Sequence, residues 1–194
     1  MKLGLALLRW IVGGLFFGHG TQKLFGWFGG HGPEGTGQFF ESLGLRPGRR
    51  HAMAAGASEA GGGALLALGL FTPAAAAGLI GTMYTAIRKV HGAKGPWVTD
   101  GGYEYNLVLI AAVLALADVG PGDWSLDHAL GTEVKGPLVA LLALAGGIGG
   151  AYAMTELGAS EPAPVSEGEP QTESSAVPAP EPAGAAAVST EATA

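Results

Sequence analysis

Several acids, amides and imidazoles in this chain recur at spacings that place them together at one end of apolar helices. His19 and Lys23 stand at i and i+4, with Gln22 between them, and Tyr84, Arg88 and His91 follow at i, i+4 and i+7. Glu59 lies alone in the run AAGASEAGGG, and Glu104 with Tyr105 opens a further apolar stretch. An ionised side chain inside a membrane span costs roughly 2.5–3.5 kcal/mol on insertion scales, so each such group needs a partner or a chemical role. Glu59, the deepest carboxylate, and His19, whose imidazole exchanges protons near neutral pH, are candidate catalytic proton carriers. Gln22, Lys23, Arg88, His91, Glu104 and Tyr105 are candidate substrate-binding groups, a set able to grip the two oxygens of a quinone.

Other uses of the same residues compete with this one. An interhelical salt-bridge network would fix the register of a helix bundle, and Lys23, Arg88 and Lys89 could snorkel to lipid headgroups. His19, Glu59, His91 and Glu104 would suit a metal by type, but no HExxH or ExxH spacing supports a site, and no metal is assigned. The chain has no cysteine, which excludes thiol catalysis, disulfides, cysteine-ligated clusters and any cofactor held through cysteine; no covalent cofactor is expected. Gly30-His31-Gly32-Pro33-Glu34-Gly35 matches GxGxxG only literally, because no strand precedes it.

The elements that must position these groups are apolar helices. The composition is 48% hydrophobic and 13% charged, and a bilayer core of ~30 Å needs about 20 helical residues to cross it. Four such stretches lie near residues 3–28, 51–71, 73–91 and 104–120, and Pro137 to Met154 supplies a shorter, glycine-rich fifth. All the polar candidates then fall toward the side that carries the first and third connections. That side also holds most of the cations, so the positive-inside rule makes it cytoplasmic. The first segment should be retained rather than cleaved, since Arg9 interrupts it and no small-residue cleavage site closes it.

Gly14 and Gly18, Ala54, Ser58 and Gly62, and Gly146 and Gly150 recur every four residues and predict close helix seams. Thr72-Pro73 predicts a helix start, with the threonine side chain as acceptor. Trp27, Phe28, Trp97 and Tyr103 read as an interfacial aromatic belt, and Phe39, Phe40, Leu43 and Leu45 as an amphipathic piece in the first connection. Residues 155–194 carry seven glutamates, six prolines and no lysine or arginine, and are expected to be a disordered tail. The rest of the chain has ten basic and nine acidic residues, which gives no basic field for nucleic acid.

Four blocks, HGTQKLFGWFGG from His19, GTGQFFESLGL from Gly35, AAGASEAGGGALLALGLFTPAAA from Ala54 and GAKGPWVTDGGYEYNLVL from Gly92, resemble the DoxX family of small bacterial membrane proteins. The resemblance covers residues 3–130 and implies an all-α, four-helix membrane bundle over 1–130, related to DoxD-like subunits of quinone-linked sulfur oxidoreductases. His19, Gln22, Lys23, Glu59, Glu104 and Tyr105 stand at positions that match the family's recurrent polar ones. The implied protein is a multi-pass subunit of a quinone-linked oxidoreductase system in the bacterial cytoplasmic membrane. Its expected partners are lipids, a soluble redox enzyme or further copies of itself. A noncatalytic module that recruits a redox enzyme and a small-solute transporter are the alternatives. The extra helix over 131–154 and the tail lie beyond the family core.

Overall fold

The computed structural model describes residues 3–157, and these form an all-α structure. The helices are α1 (Leu3–Phe25), α2 (Gly32–Ser42), α3 (Gly48–Leu68), α4 (Thr72–Ala86), α5 (Glu104–Val119), α6 (Leu126–Leu130) and α7 (Pro137–Tyr152). Short 3-10 turns connect several of them, and π turns extend α4 over Ile87–His91 and α7 over Ala153–Leu157. The expected tail lies outside the described residues from position 158 onward, while residues 155–157 belong to the π turn.

Small residues decide how closely α1 and α3 approach. A Cβ on Gly13 would sit 2.6 Å from the Gly63 carbonyl oxygen, one on Gly63 would sit 2.5 Å from the Phe17 nitrogen, and one on Gly20 would fall on the Ala60 backbone. The seam therefore runs through Gly13 and Gly20 against Gly56, Ala60 and Gly63, at a spacing of seven residues, or about two turns. This corrects the four-residue reading for two of its three sets: Gly14 and Gly18 face open space, as do Gly146 and Gly150, whereas Ser58 and Gly62 do pack closely, against Gly78 and Leu79 of α4. The close glycine of α7 is Gly147, where a Cβ would meet the Ala77 carbonyl oxygen at 2.5 Å. Motif spacing alone carried no phase, so it selected neighbours of the packing glycines.

Larger apolar side chains fill the interior beside this seam. Val12, Phe16, Leu66, Leu79, Ile80, Leu109, Val113 and Leu116 form one buried cluster shared by α1, α3, α4 and α5, with Ala140 and Ala143 of α7 joining it. The outer surface is equally apolar: Leu3, Leu7, Trp10, Ile11, Leu15 and Phe17 of α1 and Leu138, Leu141 and Leu142 of α7 are exposed. Two segments, Leu3–Phe25 and Pro137–Glu156, are long and apolar enough to cross a membrane. Only 33% and 22% of their most apolar windows are buried, whereas the central helix of a soluble core would be mostly covered.

A second anchor lies at the opposite end of the molecule from the polar candidates. Arg9 is fully buried and donates from Nη1 to the Ala67 carbonyl at 3.3 Å and from Nη2 to the Trp124 carbonyl at 2.5 Å. Asp127 of α6 accepts from the Phe71 and Thr72 N–H groups at 2.9 and 3.1 Å and from the Thr72 hydroxyl at 2.9 Å. The start of α4 is thus where Thr72-Pro73 placed it, but the cap comes from Asp127 across space. Thr72 is already the first helical residue, so its hydroxyl donates instead of accepting.

Two stability measurements in detergent follow from this packing. Gly20→Val should lower stability toward the upper end of about 1–3 kcal/mol because backbone opposes the new methyls, whereas Gly14→Val, with open space around it, should change it by under about 0.5 kcal/mol. Asp127→Ala should cost about 2–3 kcal/mol by leaving buried donors at the head of α4 unpaired. Equal thermal midpoints for the two glycine variants would show that the seam lies elsewhere.

Candidate functional site

The α1–α3 seam sets the geometry of the most polar contact in the bundle. Lys23 lies three residues beyond Gly20, and Glu59 three residues beyond Gly56, so the close approach at the glycines brings the two side chains together. Lys23 Nζ donates to Glu59 Oε2 at 2.5 Å, with side-chain exposures of 22% for the lysine and 6% for the glutamate. The same ammonium reaches the His19 carbonyl at 3.4 Å. An ammonium has three protons, so one remains uncommitted among the described residues.

These groups border a cavity of about 540 Å³ enclosed by parts of α1, α2, α3, α4, α5 and α7. Its walls are largely apolar: Phe16, Phe39, Phe40, Leu43, Leu45 and Leu109 supply bulk, while Ala54, Ala77, Gly78 and Gly81 keep space open. A volume in the range of about 300–1,000 Å³, with few polar groups on an apolar lining, is what small-molecule sites have. Phe39, Phe40, Leu43 and Leu45 come from the expected amphipathic piece, which is α2 and its C-terminal turn. α2 packs against α3, and this turns the aromatic residues into a cavity wall.

Of the residues expected at the site, His19, Lys23, Glu59, His91 and Tyr105 line the cavity, and Gln22, Arg88 and Glu104 are not among its lining. Gln22 spans His19 Nδ1 at 3.1 Å and the Phe28 carbonyl at 3.3 Å, which fixes the end of α1. Glu104 accepts from the Val98 N–H at 2.9 Å and so closes the loop ahead of α5. Arg88 pairs with Glu156 at 3.2 Å, its guanidinium carbon 5.8 Å from the Tyr84 ring centroid and 5.5 Å from that of Tyr152.

The π turn explains why Arg88 and His91 part company. A regular helix would keep Tyr84, Arg88 and His91 on one face, but the wider turn at Ile87–His91 shifts the register after Arg88. Arg88 then stays with Tyr84 and reaches the end of α7, while Lys89 and His91 line the cavity. His91 Nδ1 is held by the Gly101 carbonyl oxygen at 2.7 Å. No local pattern announces a π turn, so this division was invisible in the sequence.

Seven further polar residues line the cavity without having been singled out as ligands: His51, Ser58, Thr82, Thr85, Lys89, Asn106 and Thr155. Asn106 is buried, with its amide nitrogen 3.4 Å from the Met83 sulfur, a weak acceptor. The available signal was its position one residue after Tyr105, at the polar head of an apolar helix. Among the described residues, no group of three or more His, Cys, Asp or Glu could hold a metal ion.

The sequence pattern of the DoxX family matches residues 4–92, which takes in α1 to α4 and the π turn. CatD of Bacillus subtilis (strain 168), whose name carries a provisional assignment as an oxidoreductase, is 36% identical over 115 residues, covering 59% of this chain and 79% of that protein. No solved structure matches. With its polar residues on α1 and α3 inside the matched segment and most of a relative's length aligned, the chain belongs to the DoxX family.

Proposed function

We propose that this protein is a multi-pass helical bundle of the bacterial cytoplasmic membrane and serves as a subunit of a quinone-linked oxidoreductase system. The carrying observation is the Lys23–Glu59 pair set in the wall of an apolar cavity. The inverted distribution of residues supports the membrane placement. Leucines, isoleucine and tryptophan face outward on α1, and Arg9, Glu59, Thr72, Asn106 and Asp127 lie inside. Such a surface would aggregate in water, yet in lipid it is the preferred arrangement. The relative's name adds support for redox chemistry, no more specific than oxidoreductase.

The cavity fits a quinone headgroup by size and lining. Phe16, Phe39 and Phe40 offer ring contacts, and the uncommitted Lys23 proton can meet a carbonyl oxygen. A quinone bound there would take up two electrons and two protons in its full reduction. The chain has no cysteine to ligate an iron–sulfur cluster, and we assign the electrons to a soluble redox enzyme that docks on the bundle. Its own residues handle protons: Glu59 accepts and returns a proton through Lys23 Nζ, while the His19 imidazole, held by Gln22, stands on the same cavity lining as a second proton carrier.

Three measurements test this reading. Carbonate-washed membranes should retain the protein, and release into the wash would remove the membrane placement. Protein purified with its native lipids should carry extractable quinone and support quinone-linked turnover with its electron donor. Glu59→Gln should lower that turnover by about 10²-fold or more, the scale of a lost general acid–base group. Lys23→Met combined with Glu59→Gln should be little worse than the single change, because the two act as one unit. Wild-type turnover in Glu59→Gln would leave the pair a structural tie only.

A further inference from the structure

The cavity has two polar poles, and proton handling at the Lys23–Glu59 pair uses only one of them. At the first, Glu59 is committed to Lys23. At the second, the π turn places Lys89 and His91 on the cavity wall, with Asn106 of α5 also on the lining. Lys89 lies 3.9 Å from Glu156, beyond hydrogen-bond reach, and that carboxylate is already 3.2 Å from Arg88. The Lys89 side chain is three-quarters covered, at 25% exposure. Among the described residues, then, a largely covered ammonium on the cavity wall shares a single carboxylate oxygen with Arg88, two cations to one acid.

The whole lining has the same imbalance. Its charged groups are Lys23, Lys89 and Glu59, and its histidines are His19, His51 and His91. No second carboxylate lies on the lining itself, Glu156 beside it is shared between Arg88 and Lys89, and most of the remaining wall is apolar. A largely covered cation in such surroundings is stabilised by an anion that brings its own apolar body, since a bound apolar group would displace water and reduce the screening of the charge pair.

From this we infer that the cavity takes an amphipathic organic acid whose ionised oxygen docks on Lys89 and whose ring or chain fills the apolar walls. The inference rests on the cavity being a ligand site, as in the proposed function, but it requires no electron transfer. His91, oriented by Gly101, and the Asn106 amide add hydrogen-bonding groups to the same cavity lining. Arg88 acts elsewhere. Paired with Glu156 and flanked by Tyr84 and Tyr152, it takes the nearer share of the one carboxylate that Lys89 also approaches, and it ties the end of α7 to α4.

The test uses the full chain in phosphatidylcholine nanodiscs with 2-naphthoate and its neutral methyl ester as probes. The acid should bind about tenfold or more tightly than the ester, the effect of one partly desolvated charge pair. Lys89→Gln should remove that preference while leaving ester binding unchanged, and Lys89→Arg should keep it, which separates charge from folding. Repeating the titration with a portion of phosphatidylglycerol tells the source apart. Competition would assign the pole to a lipid headgroup acid, and unchanged binding to a soluble acid. Equal binding of acid and ester, or a preference that survives Lys89→Gln, overturns the inference. Naphthoate binding without quinone-linked turnover would keep this pole and remove the redox reading; turnover with no acid preference would do the reverse.

Discussion

The bundle depends on how closely α1 and α3 can approach. Gly13 and Gly20 on one helix and Gly56 and Gly63 on the other leave no room for a Cβ, and backbone therefore meets backbone. Contact this close lets many backbone atoms meet at short range, where dispersion attraction is strongest. The same approach has a chemical consequence. It brings an ammonium and a carboxylate, each one turn beyond a seam glycine, to 2.5 Å in a largely buried setting. Moving the helices apart by a methyl group would separate the pair as well as loosen the packing.

Polar groups in this interior are few, and nearly all are tied to a neighbour. Asp127 answers the N–H groups that the first turn of α4 leaves free, and Arg9 answers carbonyls at the end of α3 and in the loop before α6. These contacts close the end of the bundle away from the cavity. They draw a short helix, a loop and three long helices into one cooperative joint, since a buried donor left unpaired is costly. One end is stiffened in this way, while the other keeps a cavity with uncommitted donors. A division between a locked base and an adaptable site is a common way to combine stability with ligand binding.

The π turn after α4 and the last helix shape that cavity together. The turn sends Arg88 to one side and Lys89 and His91 to the other, and Arg88 then holds Glu156 at the end of α7. Gly147 allows α7 to lie directly on α4, and Ala151, Met154 and Thr155 complete the wall. α5 and α7 fall beyond the segment that the family pattern matches, so two of the cavity's walls lie outside the part of the chain the family pattern describes.

Much of this was legible in the sequence because it depends on composition and local order. Apolar runs located the long helices within a few residues, Thr72-Pro73 marked a helix start, and charge isolated in apolar surroundings pointed to Glu59, His19 and Lys23. What remained hidden depends on phase and on distance through space. Spacing could not say that Gly13 and Gly20, rather than Gly14 and Gly18, face α3, because a one-residue shift turns a helix face by about 100° and leaves the pattern intact. Asp127 lies 55 residues from the hydroxyl it caps, and a π turn has no local signature to separate His91 from Tyr84 and Arg88. The sequence by itself determined which residue types would be inside an apolar bundle. Tertiary packing alone decided which of them meet, because partner choice is set by the rotation and approach of whole helices.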